Sequence, residues 1–187
     1  MTRIRSLDRS ASVPDVEAGR PSAPRYQPLT AAALAGLLRP LLQDVNMVSA
    51  PALLKERGAA LTESTRDASP TYDSLIRIKV KTGGGWRTLA GAVIAGQPRI
   101  TEVKGMSLEA PFSSATLYIN NSDKPGFIGA LGTLLGEAHI NIATFHLGRD
   151  ASGEAIALVG VDSAPADTVL TQIKALPHVR YAKLLRF

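Results

Sequence analysis

The middle of the chain shows the alternation of apolar and polar residues that is typical of a β-sheet. Residues 75–81 place apolar side chains on one face and basic side chains on the other, which predicts a half-buried strand. A glycine-rich turn at 82–85 predicts a hairpin to a second strand at 86–95, and a third strand follows near 99–104. A linker is expected at 107–114.

Helices are predicted upstream of these strands. Residues 29–60 are rich in Ala and Leu at helical spacing. Pro40 divides this stretch because proline lacks a backbone donor and clashes with the preceding turn. The second helix is expected to begin near Pro51 and to stop at Gly58. The helices and strands together predict a small α+β domain at 29–110.

The last third of the chain predicts a second domain at 115–187. A strand at 116–119 leads to a helix at 125–138, a strand begins at Asn141, and a strand, a helix and a strand follow within 154–185. The order βαββαβ is that of a ferredoxin-like fold, with two helices on one face of an antiparallel sheet. The other face and the edge strand are expected to remain available for a second copy.

A polar cluster at the start of the predicted helix is the strongest candidate for a binding site. Asn121 and Asp123 directly precede Pro125, where the helix is expected to begin. A helix N-terminus offers unsatisfied N–H groups to an anion, and a carboxylate beside it can hold an ammonium group. The arrangement therefore suits a free amino acid.

The same helix carries glycines at 126, 129, 132 and 136, which share one face. Each glycine costs roughly 0.5 to 1 kcal/mol relative to Ala in a helix interior. Either a neighbouring chain approaches this face closely, or the glycines relieve crowding within one chain. The opposite face is expected to pack on the core through Phe127, Ile128, Leu131, Leu134, Leu135 and Ala138.

Two stretches of the sequence resemble one family. The pattern N-x-D-K-P-G-x-I-G-x-L-G-x-L-L-G, followed by I-N-I-A and H-L-G-R, resembles the ACT domain at the C-terminal end of bacterial D-3-phosphoglycerate dehydrogenase. V-N-M-V-S-A-P followed by K-E-R-G resembles the intervening, or allosteric substrate binding, domain of the same enzymes. The resemblance extends from about Leu29 to Phe187, so the intervening domain is expected to lack its opening strand.

The resemblance implies a regulatory function. ACT domains of this family pair side by side and bind L-serine, the end product of the pathway, as a feedback inhibitor. The implied serine contacts are Asn121, Asp123 and Asn141, although many relatives have His or Tyr at the first position. The turn and helix start supply the remaining ligand-binding residues, which are Lys124, Pro125 and Gly126. The ligand is expected to be L-serine or another small amino acid, bound by an ACT-to-ACT homodimer.

The 187 residues contain no motif for the chemistry of that family. Neither a G-x-G-x-x-G dinucleotide motif nor a P-loop is present, and with no Cys there is no thiolate nucleophile or Cys-based metal site. His139, His146 and His178 show no metal-ligand spacing, and only His146 is kept as a minor candidate beside the site. The family uses NAD, whereas we expect neither cofactor nor metal here, no activity of this chain alone, and a separate catalytic chain as a candidate partner.

A basic strand face suggests a second, anionic ligand. The residues concerned are Arg77, Lys79, Lys81 and Arg99. The intervening domain of the resembling family can bind an anion, which favours a phosphorylated ligand. A solvated strand face explains the same pattern.

The remaining observations narrow the function further. A net charge of +5 would suit nucleic acid, but part of it lies in residues 1–28 and no basic helix or stacking-rich motif is present. Residues 1–28 predict a flexible leader whose acidic residues argue against a transit peptide. With no membrane-length apolar run, we expect a cytoplasmic chain equivalent to the regulatory segment of the dehydrogenase, either truncated or free-standing. The alternative is a regulatory β subunit of an iron-sulfur L-serine dehydratase, whose Gly-Pro-Ser-Ser-Ser-His stretch is absent.

Overall fold

The computed structural model describes residues 14–19, 27–66 and 71–187. It divides into two compact units, the first ending at Ala95 and the second beginning at Gly96. Within the described residues, no helix is both long enough and apolar enough to cross a membrane.

The helices of the first unit form a small apolar cluster of their own. Helix α1 (Gln27–Leu38) ends just before Pro40, and helix α2 (Ala50–Glu56) has a proline in its first turn. Gly58, with φ of 69°, follows α2 in the left-handed conformation that commonly ends a helix. The buried residues of this cluster are Leu34, Ala35 and Leu38 of α1, Val45 of the connection, and Ala50 and Leu54 of α2.

Four strands complete the first unit. They are β1 (Pro14–Gly19), β2 (Thr62–Arg66), β3 (Ile76–Thr82) and β4 (Gly85–Ile94). Their order is β2-β1-β3-β4, with β1 parallel to β2 and antiparallel to β3. The predicted hairpin of β3 and β4 is therefore present, whereas β1 and β2 were not expected.

Strand β1 contradicts two predictions, because it lies within the flexible leader expected at 1–28 and supplies the opening strand that the first domain was expected to lack. Its short polar sequence gives no local signal, and the strand forms because its backbone pairs with β3 over residues 14–18. In that register Glu17 lies opposite Arg77, and Asp15 lies opposite Lys79. Residues 1–13 and 20–26 of the predicted leader lie outside the described residues.

The second unit contains the predicted βαββαβ domain, preceded by a hairpin. Its elements are β5 (Gln97–Val103), β6 (Met106–Pro111), β7 (Thr116–Ser122), α3 (Phe127–Glu137), β8 (Ile142–Arg149), β9 (Glu154–Val161), α4 (Asp167–Ala175) and β10 (Val179–Leu185). The four strands β10-β7-β9-β8 form an antiparallel sheet. The α+β, ferredoxin-like prediction is confirmed.

One face of this sheet packs on α3 and α4. Ile119 of β7 and Val159 of β9 are fully buried, together with Leu131 and Leu135 of α3 and Ile173 of α4. Burying a side chain of this size contributes about 1.5 to 3 kcal/mol. This layer therefore fixes α3, and with it the segment between β7 and α3, relative to the sheet.

The β5–β6 hairpin covers part of the opposite face, which the sequence had suggested was free for a second copy. Met106 and Leu108 pack with Ile156 and Leu158 of β9. At Gly148 of β8, an added Cβ would lie 3.0 Å from the Ser107 carbonyl oxygen and 3.2 Å from the Met106 Cβ. The linker expected at 107–114 is therefore largely strand β6, because its apolar residues are buried by this long-range contact.

Gly148→Ala is expected to destabilise the second unit by about 1 to 3 kcal/mol, since the methyl group would push β6 away from the sheet. The free energy of unfolding in urea measures this effect. Gly36→Ala is the control, because Gly36 lies in α1 with nothing within 4 Å of its added methyl group. That change should raise stability by up to about 1 kcal/mol. An unchanged stability of Gly148→Ala would contradict the close packing.

His146 is expected to make stability depend on pH. Its pKa is lowered from 6.5, first by burial and then by the positive charge of Arg99, while Glu109 opposes the shift. The folded state therefore favours the neutral ring, and the unfolded state binds more protons as the pH falls through 6.5. The stability due to His146 is present above this pH and is lost below it. Between pH 7 and 5, the unfolding free energy of His146→Gln should fall less than that of the wild type, once the difference between the two proteins at pH 8 is subtracted. Identical pH profiles of the two proteins would disprove the assignment.

Candidate functional site

Asn121 lies at the end of strand β7 rather than in the loop where it was expected. Its side chain is 2% exposed, and its Nδ2 donates a hydrogen bond of 2.9 Å to the Ser122 carbonyl oxygen. Its Oδ1 is buried and accepts no hydrogen bond from the described residues. A buried acceptor without a donor costs free energy, which a donor that reached Oδ1 would recover.

The turn into α3 follows directly. Asp123 donates its backbone N–H to the Gly153 carbonyl oxygen at 2.8 Å, which ties the turn to the β8–β9 hairpin. Gly126 has φ of 96° and caps α3, so the helix begins at Phe127, two residues after the predicted start at Pro125. A side chain would strain this left-handed position. The first N–H groups of α3 have no acceptor within the helix.

A cavity of about 360 Å³ opens at this turn. Five of the predicted ligand-binding residues line it, namely Asn121, Asp123, Lys124, Pro125 and Gly126. The structure adds Phe127, Ile128, Leu147 and Arg149 to the lining. Ile128 was expected in the core but is 55% exposed. The cavity lies at the small end of the range for small-molecule sites.

Arg149 is the charged residue of the cavity lining that the sequence prediction missed. Its guanidinium lies 3.3 Å from the Asp123 carboxylate, with side-chain exposures of 65% and 32% respectively. Strands β7 and β8 both run antiparallel to β9, so they are parallel to each other. Their C-terminal ends therefore lie at the same end of the sheet. The H-L-G-R stretch contributed to the family resemblance but did not place Arg149 at the cavity.

Asn141 lies at the other end of the same strand. It precedes Ile142, the first residue of β8, and its Nδ2 donates a hydrogen bond of 2.9 Å to the Asp162 carboxylate. At about 3.3 Å per residue, the length of β8 separates it from Arg149 by roughly 25 Å. The cavity of one chain is therefore lined without Asn141.

The glycine face of α3 has no close neighbour among the described residues. A Cβ added at Gly126, Gly129, Gly132 or Gly136 would meet nothing within 4 Å. Close contacts among the described residues therefore do not explain Gly129, Gly132 and Gly136, and the approach of a neighbouring chain to this face stays a prediction.

A second charged pair lies beside the cavity. Arg180 of β10 forms an ion pair with Glu154 of β9, and it donates a hydrogen bond of 3.2 Å to Ser122 Oγ. It does not belong to the cavity lining.

The histidines lie away from the cavity. His139 and His178 occupy the predicted helix-to-strand turns, with φ of 55° and 70°. His146 directly precedes the cavity residue Leu147 on β8 but does not line the cavity, and its pKa responds to Arg99 and Glu109 of the β5–β6 hairpin. Across residues 14–19, 27–66 and 71–187, no group of three or more His, Asp or Glu side chains is placed to hold a metal ion.

The predicted anion-binding residues are distributed over both units. Arg77, Lys79 and Lys81 alternate along β3 in the first unit, and Arg99 lies on β5 in the second. Lys81 Nζ lies 6.0 Å from the centre of the Trp86 ring. An anion site at these residues stays a prediction.

Comparison with known protein families gives two matches. Residues 15–104 match the D-3-phosphoglycerate dehydrogenase intervening domain, and residues 115–178 match the ACT domain. The first match begins within β1, the strand that the sequence prediction had missed.

Individual relatives agree with these matches. D-3-phosphoglycerate dehydrogenase of Synechocystis is 36% identical over 83% of this chain and 29% of its own length. The enzyme of Bacillus subtilis is 32% identical over 84% of this chain and 30% of its own length, and that of Methanocaldococcus jannaschii is 32% identical over 79% and 28%. The chain thus spans about 30% of these relatives.

A solved homoserine dehydrogenase structure from Thiobacillus denitrificans matches 60% of this chain and 33% of its own, at 13% identity and a TM-score of 0.28, too distantly to inform the function. The names of the relatives do not favour the serine dehydratase alternative. By its intervening and ACT domains, this chain belongs to the D-3-phosphoglycerate dehydrogenase family and matches the C-terminal regulatory part of those enzymes.

Proposed function

We propose that the chain is an amino-acid-binding regulatory segment that senses L-serine for an NAD-dependent D-3-phosphoglycerate dehydrogenase of serine biosynthesis. The observation that carries this proposal is the cavity at the start of α3, which combines the Asp123 carboxylate with the buried Asn121 amide. Its setting is an ACT domain. The proposed location is the cytoplasm.

Each polar group has a role toward the ligand. Asp123 accepts the ammonium group, and its carboxylate is one-third exposed and therefore reachable. The backbone N–H groups of Lys124 and Gly126 in the turn, and of Phe127 at the start of α3, bind the carboxylate of the ligand. Asn121 reads the hydroxyl group, because its unpartnered Oδ1 can accept the bond that serine donates and alanine lacks.

The site is completed by a second copy of the chain. Strand β8 is an edge of the sheet and can pair with its own copy. If the two β8 strands run antiparallel, the start of one strand lies beside the end of the other, so Asn141 of the second copy reaches the cavity. There it holds the carboxylate or ammonium group of the ligand. The glycine face of α3 has space for added atoms, which is compatible with the close approach of a second copy.

Regulation follows if two domain arrangements differ in their affinity for serine. Serine bound between two ACT domains then favours one arrangement and acts on a distant catalytic site. That site belongs to the dinucleotide-binding part of the enzyme, on a separate catalytic chain or a longer polypeptide. The basic face of β3, with Lys81 at its end, is proposed to bind an anionic ligand such as a phosphorylated substrate.

L-serine is expected to bind saturably to the purified chain and to stabilise it. At one hundred times the dissociation constant the stabilisation should be about 2.7 kcal/mol, because the ligand binds only the folded state. Calorimetric titration measures the binding, and thermal unfolding with and without L-serine measures the stabilisation. Glycine and L-alanine, which lack the hydroxyl group, should bind more weakly. The absence of binding by a folded, dimeric chain would refute a serine sensor.

Asp123→Asn is expected to weaken L-serine binding by about 10- to 100-fold, because it removes the negative charge that holds the ammonium group and keeps the shape of the side chain. Calorimetry with the variant measures the loss. Glu154→Gln is the matched control, since this nearby carboxylate pairs with Arg180 outside the cavity lining. Equal affinities of the wild type and Asp123→Asn would remove Asp123 from the site.

A further inference from the structure

We propose that Arg149 binds the ligand's carboxylate, so that the site selects zwitterionic α-amino acids over amines and simple acids. This inference rests on the proposed amino-acid site and adds a specificity-determining residue to it. The ligand group that Arg149 would hold is the carboxylate, which L-serine shares with the other α-amino acids.

The fold places Arg149 where this role requires it. Arg149 is the last residue of β8, and Asp123 directly follows β7. Because the two strands are parallel, both residues lie at the same end of the sheet. Both side chains line the same cavity, with the guanidinium 3.3 Å from the carboxylate. The cavity therefore presents one positive and one negative group side by side.

This pair matches the charges of an α-amino acid. The ammonium and carboxylate groups of the ligand are attached to the same carbon, so they can lie against two neighbouring protein charges at once. On binding, Asp123 and Arg149 exchange part of their mutual contact for contacts with the ligand. Because the pair is exposed to solvent, at 32% and 65%, opening it costs little.

Arg149 suits a carboxylate better than the other cation of the cavity. The planar guanidinium can donate two parallel hydrogen bonds to a carboxylate, whereas the Lys124 ammonium is a compact point charge on a flexible stem. Arg149 is also held beside Asp123 by its ion pair, and Lys124 has no ion pair among the described residues.

A second observation indicates that the cavity is built for a ligand. Asn121 belongs to the cavity lining and is 2% exposed, and its Oδ1 has no donor among the described residues. Leu147 and Phe127 supply apolar walls. The three polar side chains thus offer a negative charge, a positive charge and a neutral acceptor, which correspond to the ammonium, carboxylate and hydroxyl groups of one small molecule.

The experiment compares the binding of two ligands, with and without a carboxylate, by the wild type and by two arginine variants. The wild type, Arg149→Met and Arg180→Met are titrated with L-serine and with L-serinamide, at a pH where both amines are protonated. L-serinamide keeps the ammonium and hydroxyl groups and lacks only the carboxylate charge. Arg180→Met is the matched control, because it removes a nearby, paired arginine outside the cavity lining. Thermal unfolding verifies that each variant is folded.

Arg149→Met should weaken L-serine binding by about 10- to 100-fold and leave L-serinamide binding unchanged or tighter, because Asp123 loses a competitor. Arg180→Met should keep both affinities within about twofold of the wild type. If Arg149→Met binds L-serine and L-serinamide more weakly by the same factor, Arg149 has a structural role and the inference is overturned. Tighter binding of both ligands by this variant would also overturn it. If the wild type binds L-serine and Arg149→Met binds it equally well, the inference about Arg149 is overturned and the proposed function is not. If the wild type binds none of L-serine, glycine and L-alanine, both the inference and the proposed function are overturned.

Discussion

Strand β9 is the constraint on which the second unit depends. Residues 155–161 are buried, with α3 and α4 packed over one face and the β5–β6 hairpin over the other. Because β7 and β8 pair with opposite sides of this one strand, they must run in the same direction and end together. The meeting of Asp123 and Arg149 follows from this pairing, even though 25 residues separate them in sequence. The site is therefore a property of the sheet more than of the loop that carries most of its residues.

The sequence predicted the parts of this fold that have local signals. The period of α3, the polar turn at Asp123 and the order of elements were sufficient for the ferredoxin-like domain and for most of the cavity lining. Arg149 was missed because an exposed arginine at a strand end has no signal of its own. Its relevance emerges only when the two strand ends are known to lie together. Asn121 was placed in the loop because polar residues favour turns, but pairing with β9 and β10 extends the strand through Ser122.

The other differences have one physical cause, which is pairing over long sequence distances. Strand β1 is short and polar, and it exists through its ladder with β3, about 60 residues away. Strand β6 resembled a linker because its alternation is brief, and its burial depends on β9, some 50 residues further along. Ile128 looked like a core residue on a helical wheel, yet it lies in the first turn of α3, where it lines the cavity. Propensity and periodicity describe neighbours in the chain and are silent on such contacts.

The two edges of the ferredoxin-like sheet differ in a way that limits how far assembly can proceed. Strand β10, the edge opposite β8, carries Arg180 and Lys183, both exposed. Positive charges on an edge oppose the approach of an identical edge. If β8 pairs with β8 around a twofold axis, each copy uses its β8 edge within the pair, and its remaining edge carries the basic side chains of β10. Pairing through β8 then closes at two copies, because neither copy has a second β8 edge with which to extend the sheet.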